Sequence, residues 1–156
     1  MSTINGLPAH VLLVHFIVVL APLTAILAIV CALWPAARQR LTWLVFGLAL
    51  LTAVLTPLTT DAGEWLETRE DRSSVLHTHT ELGDTMLYFA IALVVGAALL
   101  VYIHVRETRG NAVKPVAQWV IAALVIIASL ATTVQVYRIG ESGAKASWAD
   151  VVAANP

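Results

Sequence analysis

The sequence predicts an all-α protein: a four-transmembrane-helix bundle with kinks at Pro22 and Pro57. Two observations carry this reading. Of 156 residues, 59% are hydrophobic and only 12% charged, with a mean hydropathy of +0.83, whereas soluble domains are about half apolar and a quarter charged. The few charges are also clustered, so residues 11–34, 41–60, 86–105 and 116–137 contain no Asp, Glu, Lys or Arg. Each stretch reaches the roughly 20 residues that cross a hydrocarbon core about 30 Å thick. Residues 1–156 read as a single integral membrane domain, with 138–156 as an outer tail.

The first span, 11–34, opens on "LPAHVLLVHF", which carries His10 and His15 at its edge. A secretory signal would need a basic leader and a shorter apolar run, and "MSTINGLPA" has neither Lys nor Arg. His10 aligns at helical spacing with Ile17, Ala21, Ala25, Ala28 and Ala32, a packing face. His15 shares its face with Val18, Val19, Pro22 and Ile26 instead. Cys31 is the sole cysteine, so no internal disulfide can form.

The second span, 41–60, has Thr52, Thr56, Thr59 and Thr60 around Pro57. A proline frees a backbone carbonyl one turn earlier, and hydroxyls can satisfy such groups inside a membrane. Residues 61–85 follow, "DAGEWLETREDRSSVLHTHTELGD" and Thr85, with seven acids and two arginines. Such a run is usually a solvated face. That is the expectation for Glu67, Glu70 and Asp71.

Ser73 or Ser74 can cap the third helix, which is expected over 75–105 with its membrane part at 86–105. Leu76, His79, Gly83, Met86 and Ala90 form one stripe, and His77, Glu81, Asp84 and Tyr88 another. His79 should therefore face the bundle and His77 the water. In the fourth span, Ala128 with Thr132 and Ser129 with Thr133 have small-residue spacing suited to close packing, as Ala92 and Gly96 do in the third.

Charge asymmetry orients the bundle. The loops around 35–40 and 106–115 carry Arg38, Arg40, Arg106, Arg109 and Lys114, against Arg69, Arg72, Arg138 and Lys145 at the opposite end. Cations in short loops mark the inner side, so both termini are expected outside. Trp34, Trp43, Tyr102 and Trp119 then form the inner aromatic belt, and Tyr88 and Tyr137 the outer one.

No soluble-enzyme motif survives. "GESGA" at 140–144 has the wrong spacing for a nucleophile elbow and follows a helix rather than a strand. There is no paired-cysteine metal site and no basic patch for nucleic acid. What remains is a rim: His10, His15, His77 and His79 share one end with Asp61, Glu64 and Glu141. Ionisable groups at membrane depth are functional candidates by default, and imidazole is the commonest metal ligand and an axial ligand of haem iron. The bland alternative is an interfacial imidazole.

The same segments resemble a bacterial membrane family catalogued as domain of unknown function 2231. "LPAHVLLVHF" is similar to its opening run, and "TTDAGEWLE", "HTELGD" and "YRIGESGAKASW" to its later segments, with an actinobacterial flavour in the last. The chain departs from the pattern at Val11 and Ile17, where prolines are common, and at Glu141, where some members have His. The resemblance implies four spans and carries no activity. A distant likeness to four-helix membrane cytochromes b is analogy alone.

Three functions compete. The first is a membrane redox protein with one haem b or related metal centre at the outer side, held by His79 with His10 or His15, where Gly83 would leave room for a flat macrocycle. The second is a proton- or metal-ion handler using His10, His15, His79, Asp61, Glu64 and Glu141. The third is a non-catalytic accessory subunit of a homo-oligomer or larger membrane complex. All three share one partner, the lipid bilayer of a bacterial cell.

Overall fold

The computed structural model describes residues 3–4, 7–68 and 74–153. The expectations for Arg69, Glu70, Asp71, Arg72 and Ser73 lie outside the described residues. Two short strands, β1 (Thr3–Ile4) and β2 (Leu7–Pro8), pair antiparallel, with Thr3 opposite Pro8. Four helices follow: α1 (Ala9–Leu33), α2 (Pro35–Glu67), α3 (Ser74–Thr108) and α4 (Pro115–Ala153). All four are long and apolar enough to span a membrane. They form a ring in which α1 packs on α2, α2 on α3, α3 on α4 and α4 on α1, with a smaller contact between α1 and α3.

The helices outrun the hydrocarbon. The 33 residues of α2 span about 50 Å at about 1.5 Å per residue. Residues 35–40, expected as a loop, are instead the first turns of α2, with Pro35 at the first helical position, where a missing N–H costs nothing. Residues 61–67, expected in the acidic loop, prolong α2, and 138–153, expected as a tail, prolong α4. Hydropathy marks where a helix leaves lipid, not where it stops packing on its neighbours. The α3–α4 turn ends α3 differently: Gly110 adopts φ +71°, and Asn111 N donates to Arg106 O at 2.9 Å. That left-handed residue is the usual helix terminator.

The core is small-residue and hydroxyl-rich. Ala25, Ala28, Cys31, Val45, Ala49, Leu93, Ala97, Leu100 and Val125 form the larger cluster, and Ile17, Ala21, Met86 and Val136 a second. A β-carbon on Gly96 would lie 3.6 Å from Val125 Cγ2, so α3 and α4 meet closely there. Pro22 and Pro57 lie inside α1 and α2. The nearby hydroxyls donate to carbonyls of their own helices: Thr24 to Leu20 O at 2.6 Å, Thr56 to Thr52 O at 2.8 Å and Thr59 to Leu55 O at 2.7 Å.

The outer surface is apolar, with Val19, Ile26, Val54, Val95, Ile127 and Val134 all exposed. Water would not tolerate a patch of that extent, and lipid does. Trp34, Trp43, Tyr102 and Trp119 are exposed toward one end, Tyr88 and Tyr137 toward the other. Tyr88 and Tyr102 are separated by about 21 Å along α3, so His79 lies about 13 Å beyond the upper ring. The histidine end stands clear of the hydrocarbon.

Candidate functional site: a histidine pair at one end of the bundle

His10 sits in the first turn of α1, directly after β2. Its Nδ1 lies 2.9 Å from the backbone oxygen of Thr59 on α2. A carbonyl can only accept, so Nδ1 carries a proton and, in the neutral ring, Nε2 is the free acceptor. The ring has a fitted seat. A β-carbon on Gly63, one turn beyond Thr59, would fall 2.9 Å from His10 Nδ1 and 3.0 Å from its Cε1.

His79 repeats the arrangement on the other half of the bundle. Its Nδ1 lies 3.0 Å from Ser142 Oγ on α4, and that hydroxyl donates its own proton to Ile139 O at 2.9 Å. With the hydroxyl proton turned to Ile139 O, Ser142 Oγ accepts from Nδ1–H, and in that tautomer Nε2 of the neutral ring is the free acceptor. Gly143 makes the room: its β-carbon would fall 3.0 Å from His79 Cε1. The two rings face each other edge to face, with centroids 6.2 Å apart and planes at 83°.

The other rim residues do not join this pair. His15 is exposed and bonds the carbonyl of Val11 on its own helix. The helical face of His10 is the packing face, and the contacts follow it: His10 is half-buried and reaches α2. His77 is exposed beside Glu81, 3.3 Å away, while His79 is half-buried. Asp61 and Glu64 are exposed on α2, and Glu141 is engaged by Lys145 at 2.7 Å. Among the described residues no group of three or more His, Cys, Asp or Glu is placed to hold a metal ion. Of the six residues offered for an ion, the structure brings together only His10 and His79.

With the four spans and their histidine end described, the comparisons with known proteins can be placed. The family model described as "Predicted membrane protein (DUF2231)" matches residues 6–156. The chain belongs to this family. No curated protein and no solved structure matches it.

The donor set in this DUF2231 chain has a definite chemistry. Two imidazoles would be enough to ligate a haem iron but fall short of the three or four protein ligands usual for zinc. Ligating histidines characteristically donate the other ring N–H to a carbonyl or similar acceptor, which fixes the tautomer. Thr59 O and Ser142 Oγ lie where such acceptors would be. A β-carbon on Gly83 would meet nothing within 4 Å, so that turn of α3 faces open space.

Sequence reasoning missed Thr59, Gly63, Ser142 and Gly143. A signal existed in part. Thr59 and Gly63 are one turn apart on one face of a helix that had been read as ending at residue 60. Ser142 and Gly143 belong to "GESGA", weighed only as a hydrolase loop.

The opposite end holds another set that the sequence did not announce. Arg38, 3% exposed, donates through Nη2 and Nε to Glu107 at 2.7 and 3.2 Å and through Nη1 to Cys31 O at 3.1 Å. His104 is stacked edge-on to Trp43, centroids 6.5 Å apart, with a buried Nδ1 that has no partner among the described residues.

Proposed function

We propose that this DUF2231 protein is a membrane redox protein with one haem or related metal centre, held by His10 and His79 at the outer end of the bundle. The observation that carries the reading is a pair of imidazoles with centroids 6.2 Å apart, each bonded through Nδ1 and neither bonded through Nε2 among the described residues. Such a centre would supply one-electron chemistry when bound. The chain's own residues would hold and orient it: Thr59 O and Ser142 Oγ fix the rings, and Gly63 and Gly143 set their depth. His15 has no part in this reading.

The test is an oxidised-minus-reduced spectrum with metal analysis of protein purified from haem-supplemented cells. A b-type haem or a bound transition metal is expected, lost in His10→Ala and in His79→Ala and retained in His15→Ala. A colourless, metal-free preparation ends the reading. Wild-type behaviour of both histidine variants in cells would then favour an accessory subunit.

The short basic turns support an orientation with the histidine end and both termini outside a bacterial cell membrane. Single cysteines introduced at Ser74 and Ala112 of a Cys31→Ala chain, probed with a membrane-impermeant thiol reagent on intact cells, should label only at residue 74. Labelling at residue 112 alone reverses the topology.

A further inference from the structure

The charges of this chain are sorted by end. Of the carboxylates among the described residues, all but one lie at the histidine end, on α2 from residue 61, on α3 up to residue 84 and on α4 from residue 141. The remaining one, Glu107, is at the other end, and it is consumed: buried Arg38 binds both of its oxygens. Arg40, Arg106, Arg109 and Lys114 share that end, all exposed, with no carboxylate partner among the described residues. The Arg38–Glu107 clip thus removes the one acid that could have screened four free cations.

These cations have a defined level. Trp34, Trp43, Tyr102 and Trp119 are exposed at the same end, where amphipathic rings settle at the headgroup boundary. Arg40 is one turn from Trp43 on α2, Arg106 one turn from Tyr102 on α3, and Lys114 precedes α4 close to Trp119. Each cation therefore stands at the depth of lipid phosphates, on a stem long enough to reach them. A carboxylate-free cationic rim at phosphate depth is complementary to one partner chemistry.

We propose that the Arg40–Arg106–Arg109–Lys114 rim binds anionic phospholipid headgroups of the leaflet it faces. The aromatic side chains seat the glycerol and upper acyl region, and the guanidinium and ammonium groups pair with phosphate. Arg serves here through its fork of donors, which matches phosphate oxygens two at a time. The opposite end, with its surplus of carboxylates, repels the same lipids. The protein is then held by unequal electrostatics at its two ends. This inference uses none of the residues proposed to hold a metal, so the two stand or fall separately.

The test is lipid retention by native mass spectrometry of the full chain, exchanged from detergent into mixed micelles with equal phosphatidylglycerol and phosphatidylcholine. Each basic side chain near an anionic surface contributes on the order of a fivefold preference, so the wild type should retain phosphatidylglycerol at least about tenfold over phosphatidylcholine. The quadruple variant Arg40→Gln, Arg106→Gln, Arg109→Gln, Lys114→Gln should lose that preference, and Glu64→Gln with Glu67→Gln should leave it intact. If the quadruple variant does not fold, the Arg106→Gln, Arg109→Gln pair is read instead and should show a reduced preference. Equal retention of the two lipids by the wild type overturns the proposal, as does an undiminished preference in the variants. Displacement of phosphatidylglycerol by inorganic phosphate at equal concentration overturns the lipid as the source of the phosphate.

Discussion

The two ends of the bundle solve the same problem in opposite ways. At the basic end, Arg38 enters the protein and all three of its guanidinium nitrogens are engaged, by Glu107 and by the carbonyls of Cys31 and Ala32. Those carbonyls belong to the last turn of α1, where backbone acceptors lack helical partners. The guanidinium therefore ties α1, α2 and α3 together, with each of its nitrogens engaged. At the histidine end, His10 and His79 are each held through Nδ1, and neither Nε2 has a partner among the described residues. A closed set of bonds stabilises a fold, whereas an open one leaves capacity for a ligand. The contrast separates structure from chemistry within a single chain.

The largest expected effect falls on the closed end. Arg38→Ala leaves Glu107 without its partner and the α1 terminus without its cap, and a broken buried ion pair costs about 3–5 kcal/mol. Glu107 is partly exposed, at 23%, so the loss should lie near the lower figure. Thermal unfolding in detergent, followed by circular dichroism, would read it. Replacing both partners, as Arg38→Met with Glu107→Leu, should recover most of the stability because no lone charge then remains buried. If the double variant is as unstable as Arg38→Ala, the carbonyl cap on α1 outweighs the ion pair.

How much of this was legible beforehand depends on what each residue's signal measures. The four charge-free stretches announced the spans because lipid imposes a composition that no loop shares. Helical stripes separated His79 from His77, and His10 from His15, because the side facing the neighbours follows from period alone. Arg38 was another matter. Its sequence neighbours, "PAARQR", looked like a basic turn, and nothing in them tells that one arginine folds inward to meet an acid 69 positions later. The seats of the histidines were hidden for a related reason. Gly63 and Gly143 matter through what a β-carbon would strike, and that requires knowing which helix lies across from them. The helix ends were misplaced because hydropathy falls silent at the lipid boundary while α2 and α4 continue to pack.

The glycines give the smaller and sharper test of the open end, since three of them lie there with different surroundings. At Gly143 and Gly63 an added β-carbon would come within 3.0 and 2.9 Å of the His79 and His10 rings. Each ring is anchored at Nδ1 and can yield only by stretching that bond. Overpacking of this kind costs about 1–3 kcal/mol, partly offset by the roughly 1 kcal/mol that alanine gains over glycine in a helix. Gly143→Ala and Gly63→Ala should therefore lose about 1 kcal/mol and weaken any metal or haem signal. Gly83→Ala is the counterpart. Its β-carbon would meet nothing within 4 Å, so helix propensity alone acts, and the variant should gain up to about 1 kcal/mol with its spectrum unchanged. A stable Gly83→Ala protein with an altered spectrum would mean that a bound group extends over that turn of α3, and the site would then be wider than its two histidines. Unaltered spectra in both Gly63→Ala and Gly143→Ala would instead detach the bound group from the pair, because neither ring can keep its place against a β-carbon at those distances.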